Sequence, residues 1–203
     1  MFSAVVFGAG RTGSHLIKHN LAHYFKSDHV IQTHNPLLKL PTENTIPVIS
    51  RRASMFDAIV SMFVASKLDK FHWFSASSKI NIDPFFIDNM AFTNMFIFQT
   101  AFYQAIEARK FTNAIEIVYE ELLADPKYLF SKFGHNHNIE DHLKKSPYDA
   151  ESFVINLEQL KDLYLDLSAK GITAQDYDFF IKNVESDLKN IKENHQGNQH
   201  KYS

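Results

Sequence analysis

Residues 5–16 decide the fold of this chain, and they read Val5-Val6-Phe7-Gly8-Ala9-Gly10-Arg11-Thr12-Gly13-Ser14-His15-Leu16. The stretch predicts a short apolar strand, a glycine-rich turn and the first turn of a helix. Glycines let the backbone turn sharply and approach a ligand closely. The first N–H groups of a helix have no partner within it, and the helix dipole adds positive charge there. Because Arg11 adds a full charge, the stretch predicts a site for a phosphate or sulfate ester.

Two common glycine-loop motifs fit this stretch incompletely. Gly8, Gly10 and Gly13 have the G-x-G-x-x-G spacing of dinucleotide-binding folds, which place an acidic residue about 20 positions further on to hold the ribose. The next predicted strand, residues 30–33, instead runs into His34. A nucleoside-triphosphate loop needs a Lys-Ser or Lys-Thr pair after its last glycine, and none follows here. What remains is a shorter Arg-Thr-Gly-Ser motif.

This motif, residues 11–14, resembles the 5′-phosphosulfate loop of sulfotransferases that use 3′-phosphoadenosine-5′-phosphosulfate (PAPS). Three further segments resemble parts of that family in the family's order. They are residues 30–36, similar to the K-T-H-x-P segment of the cytosolic branch; residues 47–52 with 58–63, similar to the 3′-phosphate element; and residues 115–122, similar to the Y-E-D-L segment. The resemblance continues as far as Pro126.

The resemblance implies a role for each matched residue. Those matched to the 5′-phosphosulfate loop are Arg11, Thr12, Gly13, Ser14 and His15. His34 is matched to the catalytic histidine, and Tyr119 to a tyrosine that lies near the adenine. The implied activity is in-line transfer of a sulfuryl group from PAPS to an acceptor hydroxyl or amine, with release of 3′,5′-bisphosphoadenosine. His34 would take the acceptor proton, and Arg11 would stabilise the leaving oxygen.

A second phosphate site is predicted at residues 51–61. Residues 46–49 form a β-prone run, and the sequence after Arg52 reads as an amphipathic helix, so Arg51 and Arg52 lie at the carboxyl end of a strand. Neighbouring side chains of a strand point to opposite faces, and we favour Arg52 with Ser61 as the pair that binds a 3′-phosphate. The alternative is a solvated basic pair beside a helix cap.

The sequence departs from the family pattern at several positions. Gln32 replaces the lysine of K-T-H, and Leu16 replaces the aromatic residue that stacks on adenine. A late Arg-Lys-Gly segment is missing, which leaves the second 3′-phosphate clamp unassigned. The acceptor site is expected to come mainly from residues 66–112 and the C-terminal helices. The acceptor itself, a small molecule, carbohydrate or lipid, does not follow from the resemblance.

The expected fold is α/β, a three-layer, P-loop-like fold with a central parallel sheet of about four to five strands and a helical C-terminal half. Predicted strands, separated by helical stretches, lie near residues 3–7, 29–33, 46–50 and 114–118. Helices are predicted at residues 128–133, 156–167 and 173–191. Residues 1–191 are expected to form a single domain, and the polar residues 192–203 a disordered tail. Residues 83–110 predict one or two core helices; part of that aromatic stretch, with Phe71, Trp73 and Phe74, is the alternative lining for an acceptor site.

Composition indicates a small intracellular enzyme. The chain has 203 residues, enough for one domain with a core, and a formal net charge of −2, which argues against general nucleic-acid binding. It has no cysteine, so disulfides and thiolate chemistry are excluded. The N-terminal stretch lacks the pattern of a signal peptide, and no apolar run is long enough to span a membrane. We therefore expect a cytoplasmic protein without stable membrane insertion.

Histidine spacing raises the question of a metal site. His15, His19 and His23 would share one helix face, a spacing that can bind zinc. No glutamate lies between them as in H-E-x-x-H, and His15 falls within the predicted phosphate loop. His135 and His137 flank an asparagine in a polar segment typical of a surface loop. We expect no metal, and sulfuryl transfer needs none.

Two other functions remain open. The G-x-G-x-x-G spacing would suit an NAD(P)-dependent oxidoreductase, against which the missing acidic residue counts. The second is a module that binds PAPS or another nucleotide without turning it over, and the neutral Gln32 keeps that alternative open.

Overall fold

A computed structural model describes residues 2–68, 83–139 and 149–199, and within these ranges the chain has four strands and seven α-helices. The strands are β1 (Ala4–Phe7), β2 (Val30–Thr33), β3 (Ile46–Arg51) and β4 (Ile115–Val118). The helices are α1 (Ser14–Tyr24), α2 (Met55–Lys67), α3 (Asn89–Ala108), α4 (Tyr119–Ala124), α5 (Tyr128–Ser131), α6 (Leu157–Lys170) and α7 (Ala174–Gln199), and a 3₁₀ turn covers Ala150–Phe153. Each strand lies within one residue of its predicted bounds.

The four described strands form one parallel sheet in the order β2-β1-β3-β4. In the register of the sheet, Phe7 at the end of β1 lies between Thr33 of β2 and Ile49 of β3. The loops that leave these strands therefore start side by side at one edge of the sheet, where open parallel sheets bind ligands. The predicted α/β fold with a central parallel sheet is confirmed.

Alternation along β1 gives the sheet two apolar faces. Ala4 and Val6 point to the side covered by α1, α4 and α5. Val5 and Phe7 point to the side covered by α3 and α7. All four β1 side chains are fully buried, as expected for a strand in the middle of a three-layer fold.

A third apolar cluster joins α2, α3 and α6 beside the sheet. Phe56 and Ile59 of α2 pack there with Phe92 of α3 and Leu160 of α6. The Ser54 hydroxyl caps α2 by accepting a hydrogen bond from the Asp57 amide over 3.1 Å. This packing fixes α2, and with it Ser61, beside the carboxyl ends of the strands.

The connection between β2 and β3 corrects one prediction. Residues 34–45 contain no helix, although helical stretches were expected between all four strands. Pro36 and Pro41 interrupt the segment, and prolines disfavour helix continuation. Leu38 and Leu40 instead pack against the α3 side of the sheet. An irregular segment therefore covers part of this face in place of a helix.

The C-terminal part differs from its prediction in length. Helix α7 continues past residue 191, the predicted end, to Gln199. Residues 83–110 supply a single long helix, α3, whose side chains Phe92, Phe96 and Phe102 are buried in the core. Phe71, Trp73 and Phe74 lie outside the described residues. In the part of the chain that the structure describes, no helix is long and apolar enough to cross a membrane.

Candidate functional site

The loop between β1 and α1, residues 8–13, has the backbone of an anion cradle. Its conformation is left-handed at Gly10 (φ 100°), Arg11 (φ 53°) and Gly13 (φ 80°). Changes of backbone hand of this kind turn successive N–H groups to the concave side of a loop. The first turn of α1 carries no acidic side chain that would neutralise the positive end of the helix dipole.

Gly13 is required by its conformation and by its neighbour. A Cβ atom at this position would overlap the ring of Tyr119, the first residue of α4. Only glycine combines the positive φ with so close an approach of a side chain. Tyr119, predicted to lie near an adenine, is therefore in contact with the loop.

The loop residues Thr12 and Ser14 both place their side chains beside Gly8. Thr12 is buried, and its hydroxyl lies beside Gly8 on the inner side of the loop. The Thr12 carbonyl accepts a hydrogen bond from the Ser50 hydroxyl at the end of β3. Ser14 is the first residue of α1 and is buried, whereas His15 beside it is half-buried. The Thr12 side chain thus lies on the inner side of the loop, against Gly8.

Arg11 and Ser61 meet at the edge of the sheet. Arg11 Nε donates a hydrogen bond to Ser61 Oγ over 3.2 Å. Ser61 is buried on α2 and presents its hydroxyl to the loop. The two residues were predicted to bind opposite ends of one ligand, and the structure joins them directly.

Arg52 lies across the same edge, just beyond β3. Its Nε pairs with Glu120 Oε1, and its Nη1 donates to the Arg11 carbonyl over 3.4 Å. The guanidinium carbon lies 5.0 Å from the centre of the Tyr119 ring. Arg11, Arg52, Ser61 and Tyr119 therefore form one cluster around the glycine loop, with two guanidinium groups on neighbouring strands.

Glu120 was not predicted as a site residue, yet it holds this cluster in place. Its second carboxylate oxygen accepts a hydrogen bond from the Ala53 amide over 2.7 Å, so Glu120 binds both the Arg52 side chain and the backbone beside it. Burial alone would raise the pKa of Glu120, but the Ala53 amide and the Arg52 guanidinium together hold that pKa below its ordinary value. The carboxylate therefore stays ionised and keeps Arg52 oriented.

Arg51, the other arginine of the predicted phosphate site at residues 51–61, lies outside this cluster. Its guanidinium lies 4.5 Å from the centre of the Tyr103 ring on the α3 side of the sheet. Arg51 Nη2 lies 2.9 Å from Glu107 and its Nε 3.3 Å from Glu116. Arg51 ends β3, so its side chain and that of Arg52 diverge, as strand alternation predicts.

A buried chain of hydrogen bonds supports the loop from below. Tyr103 Oη donates to the Ser50 carbonyl over 2.8 Å, and the Ser50 hydroxyl donates to the Thr12 carbonyl. Burial raises the pKa of Tyr103 to about 12, although the nearby Arg51 guanidinium opposes the shift. Tyr103 thus remains a neutral donor that ties α3 to the end of β3 and, through Ser50, to the glycine loop.

His34 lies one position beyond β2, next to the start of the glycine loop. Its Nδ1 is 2.5 Å from the Gly8 carbonyl, which can only accept a hydrogen bond, so Nδ1 carries the proton. Its Nε2 is 2.9 Å from Gln32 Nε2, and the same amide nitrogen donates to Ser14 Oγ over 3.3 Å. The exposed His34 ring is therefore held with Nε2 as an acceptor.

The turn that carries His34 is fixed from both sides. The Asn35 amide donates to Thr33 Oγ1 over 2.9 Å, and the Leu37 amide donates to Asn35 Oδ1 over 2.8 Å. Arg109 at the end of α3 donates from Nη1 to the Pro36 carbonyl over 2.6 Å. Burial lowers the pKa of Arg109, whose guanidinium also lies 4.4 Å from the centre of the Phe111 ring.

The sequence indicates Glu120, Tyr103 and Arg109 as residues of the site to different degrees. Glu120 follows β4 directly and adjoins Tyr119, so an acidic residue at the strand ends was readable as a site residue. Tyr103 and Arg109 lie within and just after a helix whose pattern shows only core packing. Their contacts depend on how α3 is placed on the sheet, which spacing along the chain does not reveal.

A metal centre does not emerge from the described residues. Within residues 2–68, 83–139 and 149–199, no group of three or more His, Asp or Glu side chains is arranged to hold a metal ion. His15, His19 and His23 recur along α1. At the far end of that helix, Tyr24 Oη lies 3.3 Å from His135 Nδ1.

Comparisons with known proteins add no relative. No protein-family model matches the sequence, and searches of curated proteins and of solved structures give no significant match. Function is therefore inferred from the geometry of the glycine loop and of the side chains that cluster around it.

Proposed function

We propose that this chain is a cytoplasmic PAPS-dependent sulfotransferase that moves the sulfuryl group of PAPS to a hydroxyl or amine of a small-molecule, carbohydrate or lipid acceptor. One observation carries the proposal: Arg11, Arg52 and Ser61 converge on a left-handed glycine loop at the end of adjacent strands. Two guanidinium groups, a hydroxyl and a helix N-terminus suit a ligand that carries more than one phosphate.

Each end of the donor finds a matching group in the cluster. The loop amides and Arg11 would hold the 5′-phosphosulfate, while Arg52 and Ser61 would bind the 3′-phosphate. Tyr119, in contact with Gly13 and beneath Arg52, would lie beside the adenosine. The Ser61 hydroxyl, which accepts from Arg11 in this structure, would be shared between the two ends.

Transfer forms a bond from the acceptor oxygen or nitrogen to sulfur and breaks the bond from sulfur to the oxygen that bridges to the 5′-phosphate. The acceptor proton moves to His34 Nε2, the ring nitrogen that accepts from the Gln32 amide. Negative charge collects on the bridging oxygen, where Arg11 and the loop amides stabilise it more strongly than in the ground state.

A thermal-shift titration tests donor binding. Ligand at about 100 times its dissociation constant stabilises the folded state by roughly 2.7 kcal/mol. We expect stabilisation by 3′,5′-bisphosphoadenosine, much less by AMP, and none by NAD. Stabilisation by NAD would favour the oxidoreductase, and equal responses to AMP and the bisphosphate would remove the role given to Arg52 and Ser61.

Arg52 and Arg51 provide a matched pair for the same titration. Arg52→Met is expected to erase the preference for the bisphosphate over AMP, because it removes the guanidinium of the cluster. Arg51→Met removes an equal charge from the neighbouring position on the α3 side and should keep the preference.

Catalysis is tested separately with His34→Ala and labelled PAPS. The variant should bind the bisphosphate as the wild type does and lose transfer by about 10²- to 10⁴-fold, the usual contribution of a general base. His29→Ala, at an exposed position before β2, is the control. Donor binding by a wild type that transfers to no acceptor would instead favour the non-catalytic module.

A further inference from the structure

We infer that Gln32 is a positioning residue that couples the glycine loop to His34, so that an anion bound in the loop helps to hold the base in its reactive form. The inference rests on the proposed function, because it concerns how the proposed base is held. Gln32 stands where the K-T-H segment of the sulfotransferases that the sequence resembles has a lysine, and the proposal gives this glutamine a role.

Strand alternation places the two side chains together. Gln32 and His34 are two positions apart along the direction of β2, so both project to the same side of the sheet. On that side lies the start of α1, where Ser14 presents its hydroxyl. One amide group is thereby within hydrogen-bond distance of both the loop and the base.

Hydrogen-bond chemistry makes this link directional. The Gln32 amide nitrogen has two N–H groups and accepts nothing, and its two partners are Ser14 Oγ at 3.3 Å and His34 Nε2 at 2.9 Å. His34 Nε2 must therefore be unprotonated while the bond exists. The Gly8 carbonyl requires a proton on Nδ1, so the two contacts select the same tautomer.

Occupancy of the loop acts on the same link through Ser14. A bound anion accepts a hydrogen bond from the Ser14 hydroxyl, which turns the oxygen lone pairs toward Gln32 and strengthens the bond that Gln32 donates. An arriving acceptor hydroxyl then replaces Gln32 at His34 Nε2 while Gln32 stays bonded to Ser14. The lone pair of Nε2 thus faces a donor until the acceptor hydroxyl reaches it.

Two substitutions of Gln32 separate its hydrogen-bond donation to His34 from its neutral charge. In Gln32→Glu a carboxylate can only accept, so it binds a protonated Nε2 and holds the ring as imidazolium, which is no base. In Gln32→Met the side chain has similar length but donates no hydrogen bond, so the link is cut without a new charge. Ile31→Thr changes an exposed neighbour on the opposite side of β2 and serves as the control.

Long-range ¹H–¹⁵N NMR of the histidine rings reads the link directly, without turnover. At neutral pH we expect His34 of the wild type to have its proton on Nδ1, and His34 of Gln32→Glu to be protonated on both nitrogens. Added 3′,5′-bisphosphoadenosine should shift the His34 ring signals of the wild type and of Ile31→Thr. It should leave those of Gln32→Met unchanged, although that variant still binds the bisphosphate with an affinity lowered only by the lost coupling.

Turnover gives the second measurement. Gln32→Met should lower kcat about 10-fold or more through lost alignment, with at most a few-fold rise in the KM for PAPS. A wild-type His34 with its proton on Nε2, or a Gln32→Met variant with wild-type kcat, would overturn the coupling. If the NMR results are as expected but no acceptor is ever sulfated, the proposed function fails while the coupling stands.

Discussion

Arg11 Nε donates a hydrogen bond to Ser61 Oγ over 3.2 Å, across 50 positions of the sequence. The Arg11 backbone is left-handed, with φ 53°, a conformation that costs a non-glycine residue roughly 1–2 kcal/mol. Its carbonyl is held by Arg52 Nη1 at 3.4 Å. A charged residue is thus kept in a strained conformation by its neighbours, which is typical of functional positions.

Replacing Arg11 separates its role in binding from its role in folding. In Arg11→Gly the relief of strain offsets the lost Ser61 bond and the added freedom of the unfolded chain, so the free energy of unfolding should stay within about 1 kcal/mol of wild type. Binding of 3′,5′-bisphosphoadenosine should weaken by about 10- to 100-fold, because a charge-assisted bond is lost. Urea unfolding and calorimetric titration measure the two effects.

The control for Arg11→Gly is Lys110→Gly. Lys110 has a similar left-handed backbone, φ 49°, just after the end of α3. Relief of strain at this position should leave bisphosphate binding unchanged. Wild-type binding by Arg11→Gly would contradict the place given to Arg11 in the site.

Gly13 and Gly134 distinguish backbone strain from side-chain overlap. Both have positive φ, 80° and 77°, but a Cβ at Gly13 would overlap the Tyr119 ring, whereas a Cβ at Gly134 meets nothing within 4 Å. Gly134→Ala should therefore cost only the strain, about 1–2 kcal/mol. Gly13→Ala should cost about 1–3 kcal/mol more from overpacking and should weaken bisphosphate binding. Equal losses of stability in urea unfolding would mean that Tyr119 yields without cost.

The strands and the glycine loop were readable from sequence because their signals are local. A β-prone run that enters closely spaced glycines, as at Phe7 and Gly8, fixes both the end of a strand and the place of the turn. Parallel pairing then places the ends of neighbouring strands at one edge, so the meeting of Arg11 with Arg52 followed from the fold class. Alternation predicted that Arg51 and Arg52 diverge, and the spacing between Arg52 and Ser61 favoured Arg52.

Pairings between distant segments were not readable in the same way, because they depend on the order of the strands and the placement of the helices. Arg52 and Glu120 are 68 positions apart, and their pairing requires β4 to lie next to β3. The connection after His34 was expected to be helical, yet its two prolines and two packed leucines make an irregular crossover. The periodicity of hydrophobic residues shows that a segment is buried. It does not show which polar groups that segment contacts.

Tyr103 predicts a pH dependence of stability. At pH 7, Tyr103→Phe should destabilise the fold by about 1 kcal/mol, because the bond to the Ser50 carbonyl is lost. In the wild type the pKa of Tyr103 is raised to about 12 from 10, so the unfolded chain loses this proton first as pH rises and the wild type loses stability between pH 10 and 12. The phenylalanine variant lacks that loss.

Urea unfolding of both proteins at pH 7, 9, 10 and 11 measures the effect. The wild type should be the more stable up to about pH 10, and the difference should be close to zero by about pH 11, since one pKa unit corresponds to about 1.4 kcal/mol. A difference that stays constant across this range would show that Tyr103 ionises equally in the folded and unfolded chains.

Glu120 gives the last prediction, which concerns both acid stability and ligand binding. Because its pKa is lowered in the folded state, its contribution is present above the ordinary value of 4.5 and is lost as pH falls through the folded value. Glu120→Gln should therefore destabilise the fold at pH 7 by no more than about 1 kcal/mol, since the carboxylate is partly exposed, and the difference from wild type should vanish in acid.

The same variant should weaken binding of 3′,5′-bisphosphoadenosine and leave AMP binding nearly unchanged, because Arg52 loses the partner that orients it. Glu121→Gln, at an exposed position on the same helix turn, is the control for both measurements. Urea unfolding from pH 7 down to below pH 4 and calorimetric titration provide the data. If Glu120→Gln bound the bisphosphate more tightly, Glu120 would be competing with the 3′-phosphate for Arg52, and its assignment as the group that orients Arg52 would be wrong.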